Sequence, residues 1–325
     1  MRMRMRNALG PHRAGGYART MTPSRLIVSV PDPAFAAELA DLGERVEVIV
    51  WTMDAAPETD RIDLVVPPYM SARDVVARLE GVETRLVQSQ SIGYEGTQEL
   101  LPQGIVFANA ATVHETSTAE LALALTLAVQ RELDVFARQH DWTRAFTQSL
   151  ADRRTTVLGF GGVGKAIAAR LRPFEVKLRA VATHARTEDG VEVAALEHLH
   201  AVLGETEVLI LALPASERTR GIIGDAELSA LPDGALVVNV GRGTLIDTDA
   251  LVDHVRRGRI RAGLDVTDPE PLPADHPLWE LPGVLISPHV GGASTAMQPR
   301  MVALVRRQIA HLLADEEPEN VVIRT

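Results

Sequence analysis

The chain has 325 residues, 46% of them apolar and 23% charged, with a formal net charge of −10 at pH 7 and no cysteine. That length suits two domains, and the composition is that of a soluble globular protein. The lack of cysteine excludes a disulfide framework, a cysteine nucleophile and any thiolate metal site, and it fits a reducing cytoplasm. The acidic surplus disfavours nucleic acid and anionic membrane as partners.

Residues 1–24 read as a disordered tail: Arg2, Arg4, Arg6, Arg13 and Arg19 precede Met21 with no acid among them, and no apolar segment of a secretory signal follows. The preferred reading is that Met21, just before the first strand-like run, is the natural start; the alternative is that the arginine-rich segment is an organellar transit peptide. No apolar run reaches the roughly 18 residues of a membrane span.

From Arg25 onward short apolar strands alternate with helical patterns. Leu26–Val30, Val46–Val50 and Asp63–Val66 are predicted strands, with helices over Pro33–Leu42 and Ser71–Leu79. This βα rhythm argues for a parallel sheet. Ser117–Arg131 is predicted as a helix opened by a Ser117-x-x-Glu120 capping box; its later turns are apolar on nearly every face, which implies burial between layers. The first domain boundary is expected there.

A second βα series starts at Thr155, with predicted strands Thr155–Gly159, Lys177–Ala182, Glu207–Ala212, Ala235–Val240, Ile260–Val266 and Val284–Ser287. Helices are predicted over Gly162–Arg172, Val193–Leu203, Asp225–Leu231 and Asp247–Arg256, and a last one over Thr295–Ala314. Six strands with crossovers make a doubly wound dinucleotide-binding sheet.

Gly159-Phe160-Gly161-Gly162-Val163-Gly164 sits between a strand and a helix. In that context Gly159 makes the tight turn, Gly161 admits a pyrophosphate to the helix N-terminus, and Gly164 lets the helix pack on the strand. The end of the next strand, Thr183-His184-Ala185-Arg186-Thr187, carries no carboxylate until Glu188. An NAD site usually has an acid there for the ribose hydroxyls, so a hydroxyl and an arginine favour a 2′-phosphate and NADPH over NADH. The plain alternative is that Arg186 is a solvated loop cation.

Three more segments follow predicted strands, at the sheet edge where ligands bind. They are Asn239-Val240-Gly241-Arg242-Gly243, Leu264-Asp265-Val266-Thr267-Asp268-Pro269-Glu270-Pro271, and Ser287-Pro288-His289-Val290-Gly291. Reduction of a carbonyl by a dinucleotide needs a cation to hold and polarise the substrate, and a proton donor for the developing alkoxide. A planar guanidinium suits the first task and an imidazole the second, and a carboxylate beside the imidazole favours its charged form. His198 and His200, two apart on a predicted helix, cannot share a metal face, and no metal set is read.

Together with the glycine loop, these segments closely resemble the D-isomer-specific 2-hydroxyacid dehydrogenases over nearly the whole chain after the tail. The resemblance implies a flavodoxin-like substrate domain over residues 25–118, joined by residues 295–325, with a larger Rossmann NAD(P) domain over 119–294 inserted in it. It implies Arg242, Glu270 and His289 as the catalytic set, Arg242 and His289 touching substrate. The implied cofactor set is Gly159, Gly161, Gly162, Val163, Gly164, Thr183, His184, Arg186, Pro214, Val240, Gly241, Asp265 and Gly291. Ile92 and Gly93, in Gln88–Gly96, match the place where the family binds the substrate carboxylate through backbone amides, although the usual closing aspartate pattern differs here. Pro68-Tyr69 and His114 are further pocket candidates. The substrate implied is a small 2-oxo acid such as glyoxylate or hydroxypyruvate, because the loops hold no cluster of cations for a phosphate. The resemblance also implies a homodimer, for which residues 131–150 with Trp142 offer an arm. A nucleotide-sensing scaffold of the same fold is the alternative from another class.

Overall fold

The computed structural model describes residues 25–71 and 73–325; the predicted tail lies outside them. In chain order the first sheet takes β1 (Leu26–Val30), β2 (Val46–Val50), β3 (Leu64–Val65), β4 (Leu86–Gln88) and β5 (Val106–Ala108), with α1 (Pro33–Ala37) after β1. Two helices, α2 (Glu115–Gln130) and α3 (Leu133–Phe136), lead to β6 (Arg154–Leu158), α4 (Gly162–Leu171), β7 (Lys177–Ala182), β8 (Arg186–Glu188) and β9 (Val191–Ala195). Then come α5 (Leu199–Leu203), β10 (Val208–Leu211), α6 (Asp225–Ala230), β11 (Ala235–Asn239), α7 (Thr248–Arg256), β12 (Ile260–Leu264) and β13 (Val284–Ile286). The chain closes with α8 (Met297–Ala314) and β14 (Val321–Arg324).

Two sheets result. One runs β14-β5-β4-β3-β1-β2, parallel except for the antiparallel β14. The other runs β13-β12-β11-β10-β6-β7-β9-β8, parallel except for β8. In the second sheet the order reverses between β6 and β10, which opens the crevice of a doubly wound fold beside the glycine loop. The strands read as continuous Val/Ile/Leu runs because both faces are covered. Leu209 and Leu211 point into the layer of α5, α6 and α7, while Val208 and Ile210 meet α2 and α4. Full burial of each such side chain stabilises by about 1.5–3 kcal/mol. In the first sheet, α1 and α8 cover one face through Phe35, Met301 and Val305.

Several expectations need correction. The helix α2 starts at Glu115, with His114 as its N-cap, so the Ser117/Glu120 pair forms no capping box. Ser117 instead donates back to the His114 carbonyl at 3.3 Å, and the Glu115 carboxylate caps by accepting the Thr112 N–H at 2.6 Å. The predicted helix Val193–Leu203 begins as strand β9, because Val191 and Val193 are buried on either side of exposed Glu192 and alternation overrides helical propensity. The second sheet has eight strands rather than six: β8 and β9 form an edge hairpin, turned at Asp189-Gly190 with φ of 52° and 71°. In place of the predicted helix Ser71–Leu79 stands a 3-10 helix, Arg73–Leu79, and α1 is only five residues long.

Candidate active site

The loops after β3, β4 and β5 of one sheet and after β6, β10, β11, β12 and β13 of the other carry most residues singled out above; Thr183 and His184 follow β7, Arg186 opens β8, and Gly162, Val163 and Gly164 open α4. Strand β6 hands over to α4 through Gly159-Phe160-Gly161, a turn with no room for a side chain at Gly159. Gly159 has φ 100°, and a Cβ on it would stand 2.7 Å from the Ala212 carbonyl oxygen; a Cβ on Gly164 would overlap the Gly159 carbonyl. Gly161 is the N-cap of α4, and nothing lies within 4 Å of where its Cβ would be. This open cradle, with the first amides of a ten-residue helix aimed into it, fits a dinucleotide pyrophosphate. Gly162 and Val163 open the helix beside it.

Past the end of β7, Thr183 and His184 lead into Arg186 on β8. The Arg186 guanidinium sits 6.0 Å from the Phe160 ring centroid of the glycine loop, and it donates to the Phe160 carbonyl at 3.4 Å and the His184 carbonyl at 3.1 Å. Glu188 accepts from Arg186 at 2.7 Å and from Lys165 of α4 at 2.5 Å. The Lys165 hydrogen bond first, then Arg186, holds its carboxyl below the usual range. The strand end is thus ringed by two cations sharing one acid.

On the opposite side of the crevice, Asn239 closes β11 and is wholly buried. Its amide donates to the Arg242 carbonyl at 2.9 Å and its oxygen accepts the Gly241 N–H at 3.0 Å, which sets the turn presenting Arg242. Nothing in the sequence motif marks Asn239 for this task. Val240 is buried beneath the turn. Pro214, beyond β10, has its carbonyl tied to the Thr219 hydroxyl at 2.9 Å.

Asp265 follows β12 and is 3% exposed. One carboxylate oxygen accepts the Ser287 hydroxyl at 2.6 Å and the Val290 N–H at 2.9 Å; the other accepts the Gly291 N–H at 2.9 Å. Asp265 therefore pins the turn after β13. That turn holds His289 at φ 53°, an unusual backbone for a side chain with a Cβ, and its N–H donates to the Asp265 carbonyl at 2.8 Å. The His289 Nδ1 lies 2.6 Å from Glu270 Oε1. A carboxylate only accepts, so Nδ1 carries the proton. This hydrogen bond raises the imidazole pKa above its ordinary value against the opposing pull of burial, and it lowers that of Glu270. Arg242 is near enough for both groups to feel its charge.

The first sheet contributes the loop Ser89–Gly96. Its Ile92 carbonyl accepts from the Asn109 amide at 2.8 Å, and a Cβ on Gly93 would overlap the Arg242 guanidinium. Arg242 and Gly93 are thus brought face to face from different sheets. His114 is buried, its Nε2 2.6 Å from the Gln90 carbonyl and its Nδ1 3.2 Å from that of Gly292, with Tyr69 stacked on its ring at 5.6 Å. It bridges loops rather than standing open to the crevice. A cavity of about 750 Å³ lies beside it, lined by Pro68, Tyr69 and Gln90. Glu95, unassigned from sequence, pairs with Arg242 at 3.2 Å. The one signal for it was an acid two residues past Gly93 in a loop already singled out.

A dinucleotide cradle and an Arg–His–Glu constellation on the carboxyl edge of one doubly wound sheet, with the Gly93 loop of the other sheet against Arg242, mark an NAD(P)-dependent oxidoreductase acting on 2-hydroxy acids. Residues 121–291 match the D-isomer specific 2-hydroxyacid dehydrogenase NAD binding domain. The chain belongs to that family. It is 31% identical over 302 residues to a glyoxylate reductase of Thermococcus litoralis, covering 85% of this chain and 90% of that one. It is 30% identical over 310 residues to a D-3-phosphoglycerate dehydrogenase of Mycobacterium leprae, 89% of this chain but 57% of that one. Its fold superposes with TM-score 0.78, at 27% identity, on an NADPH-dependent glyoxylate/hydroxypyruvate reductase of Sinorhizobium meliloti solved with NADP and sulfate, covering 92% of this chain and 98% of that one.

Proposed function

We propose that this protein reduces a small 2-oxo acid such as glyoxylate or hydroxypyruvate to its 2-hydroxy acid, with NADPH favoured over NADH. The observation that carries the reading is the 2.6 Å contact between His289 and Glu270, in Coulombic reach of Arg242, facing the crevice edge of the cofactor sheet. A bound reduced nicotinamide supplies the hydride. Arg242 pairs with the substrate carboxylate and polarises the carbonyl, helped by the backbone amides of Ile92 and Gly93. With Nδ1 held by Glu270, the His289 Nε2–H gives its proton to the oxygen on which charge develops, and takes it back in oxidation. Asp265 fixes the turn that carries His289 and Gly291.

The coenzyme preference rests on Arg186 and Lys165 flanking the strand end where an NAD site would carry a free acid. A phosphorylated substrate is disfavoured, because the loop residue next to Arg242 is the anion Glu95 and not a further cation. We also infer a homodimer joined through residues 131–150, where Leu133 is half exposed and Trp142 and Phe146 stand almost wholly in solvent. Light scattering that finds a monomer at assay concentration contradicts this dimer.

The test is a screen of glyoxylate, hydroxypyruvate and larger 2-oxo acids against NADH and NADPH, followed by loss of the reduced-nicotinamide absorbance. Turnover with a small oxo acid, faster with NADPH, is the expected result. Nucleotide binding without turnover of any acid would move the reading to a nucleotide-sensing scaffold.

A further inference from the structure

The guanidinium of Arg242 already holds a carboxylate. Glu95 Oε1 lies 3.2 Å from Nε, and Arg242 Nη2 donates to Glu95 Oε2 at 3.4 Å, so Glu95 takes the Nε–Nη2 edge in a fork. The third nitrogen, Nη1, donates to the Gly241 carbonyl at 2.7 Å. Glu95 is itself anchored across the crevice, accepting the Ala215 N–H at 3.3 Å from the loop after β10. Both partners are about two-thirds shielded, with side-chain exposures of 31% for Arg242 and 27% for Glu95. Gly93, two residues earlier, is pressed against the same guanidinium, so an acid held by its amide meets the same edge.

We propose that Glu95 is a specificity-determining residue: its carboxylate is an internal ligand of Arg242 that competes with the carboxylate of an incoming 2-oxo acid and repels substrates carrying a second negative charge. This rests on the assignment of Arg242 to substrate binding. A carboxylate forks onto a guanidinium edge through two oxygens, and two carboxylates do not share one edge. Substrate therefore displaces Glu95, at a cost in affinity equal to the contact it breaks. Displaced by a rotamer change, Glu95 stays in the loop as an anion a few ångströms away. A monocarboxylate tolerates that neighbour, whereas a dicarboxylic or phosphorylated oxo acid places like charge against it. The result is a pocket biased toward oxo acids with neutral side chains.

The experiment compares wild type with Glu95→Gln, which keeps the shape and removes the charge. NADPH affinity, read by fluorescence, serves as the folding control and should be unchanged. KM for glyoxylate should fall by roughly five-fold, on the scale of one partly exposed ion pair, with a smaller change in kcat. KM for oxaloacetate should fall by more. An unchanged KM for both acids overturns the proposal, and so does a fall in kcat at constant KM, which would make Glu95 a support that positions Arg242. Calorimetric titration of oxamate into the NADPH-loaded protein reads the competition without turnover: tighter binding to Glu95→Gln supports it and equal binding overturns it. Wild-type protein that turns over no 2-oxo acid would refute the underlying reading, and the oxamate titration still decides the role of Glu95.

Discussion

His289 Nδ1 and Glu270 Oε1 meet at 2.6 Å, although 19 residues and two strand-end loops separate them. The contact raises the imidazole pKa and lowers that of the carboxyl, and the sign sets the pH behaviour. On the proposed mechanism reduction draws its proton from the imidazolium, so kcat/KM for the oxo acid should hold through neutral pH and fall as pH rises through the elevated folded value. Glu270→Gln removes the main cause of the elevation and should move that alkaline limb to lower pH, so the deficit against wild type widens as pH rises. A limb that stays in place would show that Glu270 does not tune His289.

The same pair links to stability. The raised imidazole contributes stability that is complete below its unfolded value and is lost as pH rises through the folded one. The lowered carboxyl contributes stability present above its unfolded value and lost as pH falls through the folded one. The pair should therefore stabilise most between the ordinary carboxylate and imidazole ranges. Denaturant midpoints of wild type and Glu270→Gln across that range check it, the difference shrinking at both ends.

Asp265 gives the turn after β13 three hydrogen bonds from a buried carboxylate. Asp265→Ala leaves the Val290 and Gly291 amides and the Ser287 hydroxyl without that acceptor. The variant should lose about 2–4 kcal/mol of stability and most of its kcat. Urea unfolding and steady-state kinetics on one preparation measure both. Normal kinetics in a destabilised variant would leave the turn no role in placing His289.

What the sequence could show was what local pattern encodes. The longer parallel strands, the glycine loop and the three strand-end segments stand where they were expected, because parallel strands buried on both faces are continuous apolar runs and because the loops follow them directly; the short strands β4, β5 and β14 were not read. The edge hairpin was missed since Val191–Ala195 is too short for its alternation to outweigh the helix-like run after it. The Ser117-x-x-Glu120 spacing misled because a capping signal is only four residues long and can recur one turn inside a helix. Glu95, Asn239 and Lys165 went unassigned for a different reason. Glu95 and Lys165 depend on partners 147 and 23 residues away, which no local pattern records; the Asn239 contact spans only three residues but depends on how the turn folds back on the side chain.

On the proposed preference for NADPH, Lys165 and Arg186, which share Glu188, are the cations that meet a 2′-phosphate past the end of β7. Arg186→Gln should raise KM for NADPH by about ten-fold while leaving KM for NADH within a factor of two. Equal changes with both coenzymes would make Arg186 a structural residue of the edge hairpin.

Gly164 has no room for a side chain against the Gly159 carbonyl. Gly164→Ala must push α4 off β6, and should cost about 1–3 kcal/mol together with most of the nucleotide affinity. Thermal unfolding with and without NADPH reads both: the coenzyme should raise Tm in wild type and little in the variant. A full coenzyme shift in Gly164→Ala would contradict the cradle.

The most direct test is turnover of glyoxylate or hydroxypyruvate by His289→Ala, with NADPH binding to the same preparation measured by fluorescence. The expected result is a loss in kcat of about 10²–10⁴-fold with nucleotide affinity retained. Near-normal turnover with intact coenzyme binding would contradict the assignment of His289 as the proton donor, and with it the mechanism built on its contact with Glu270.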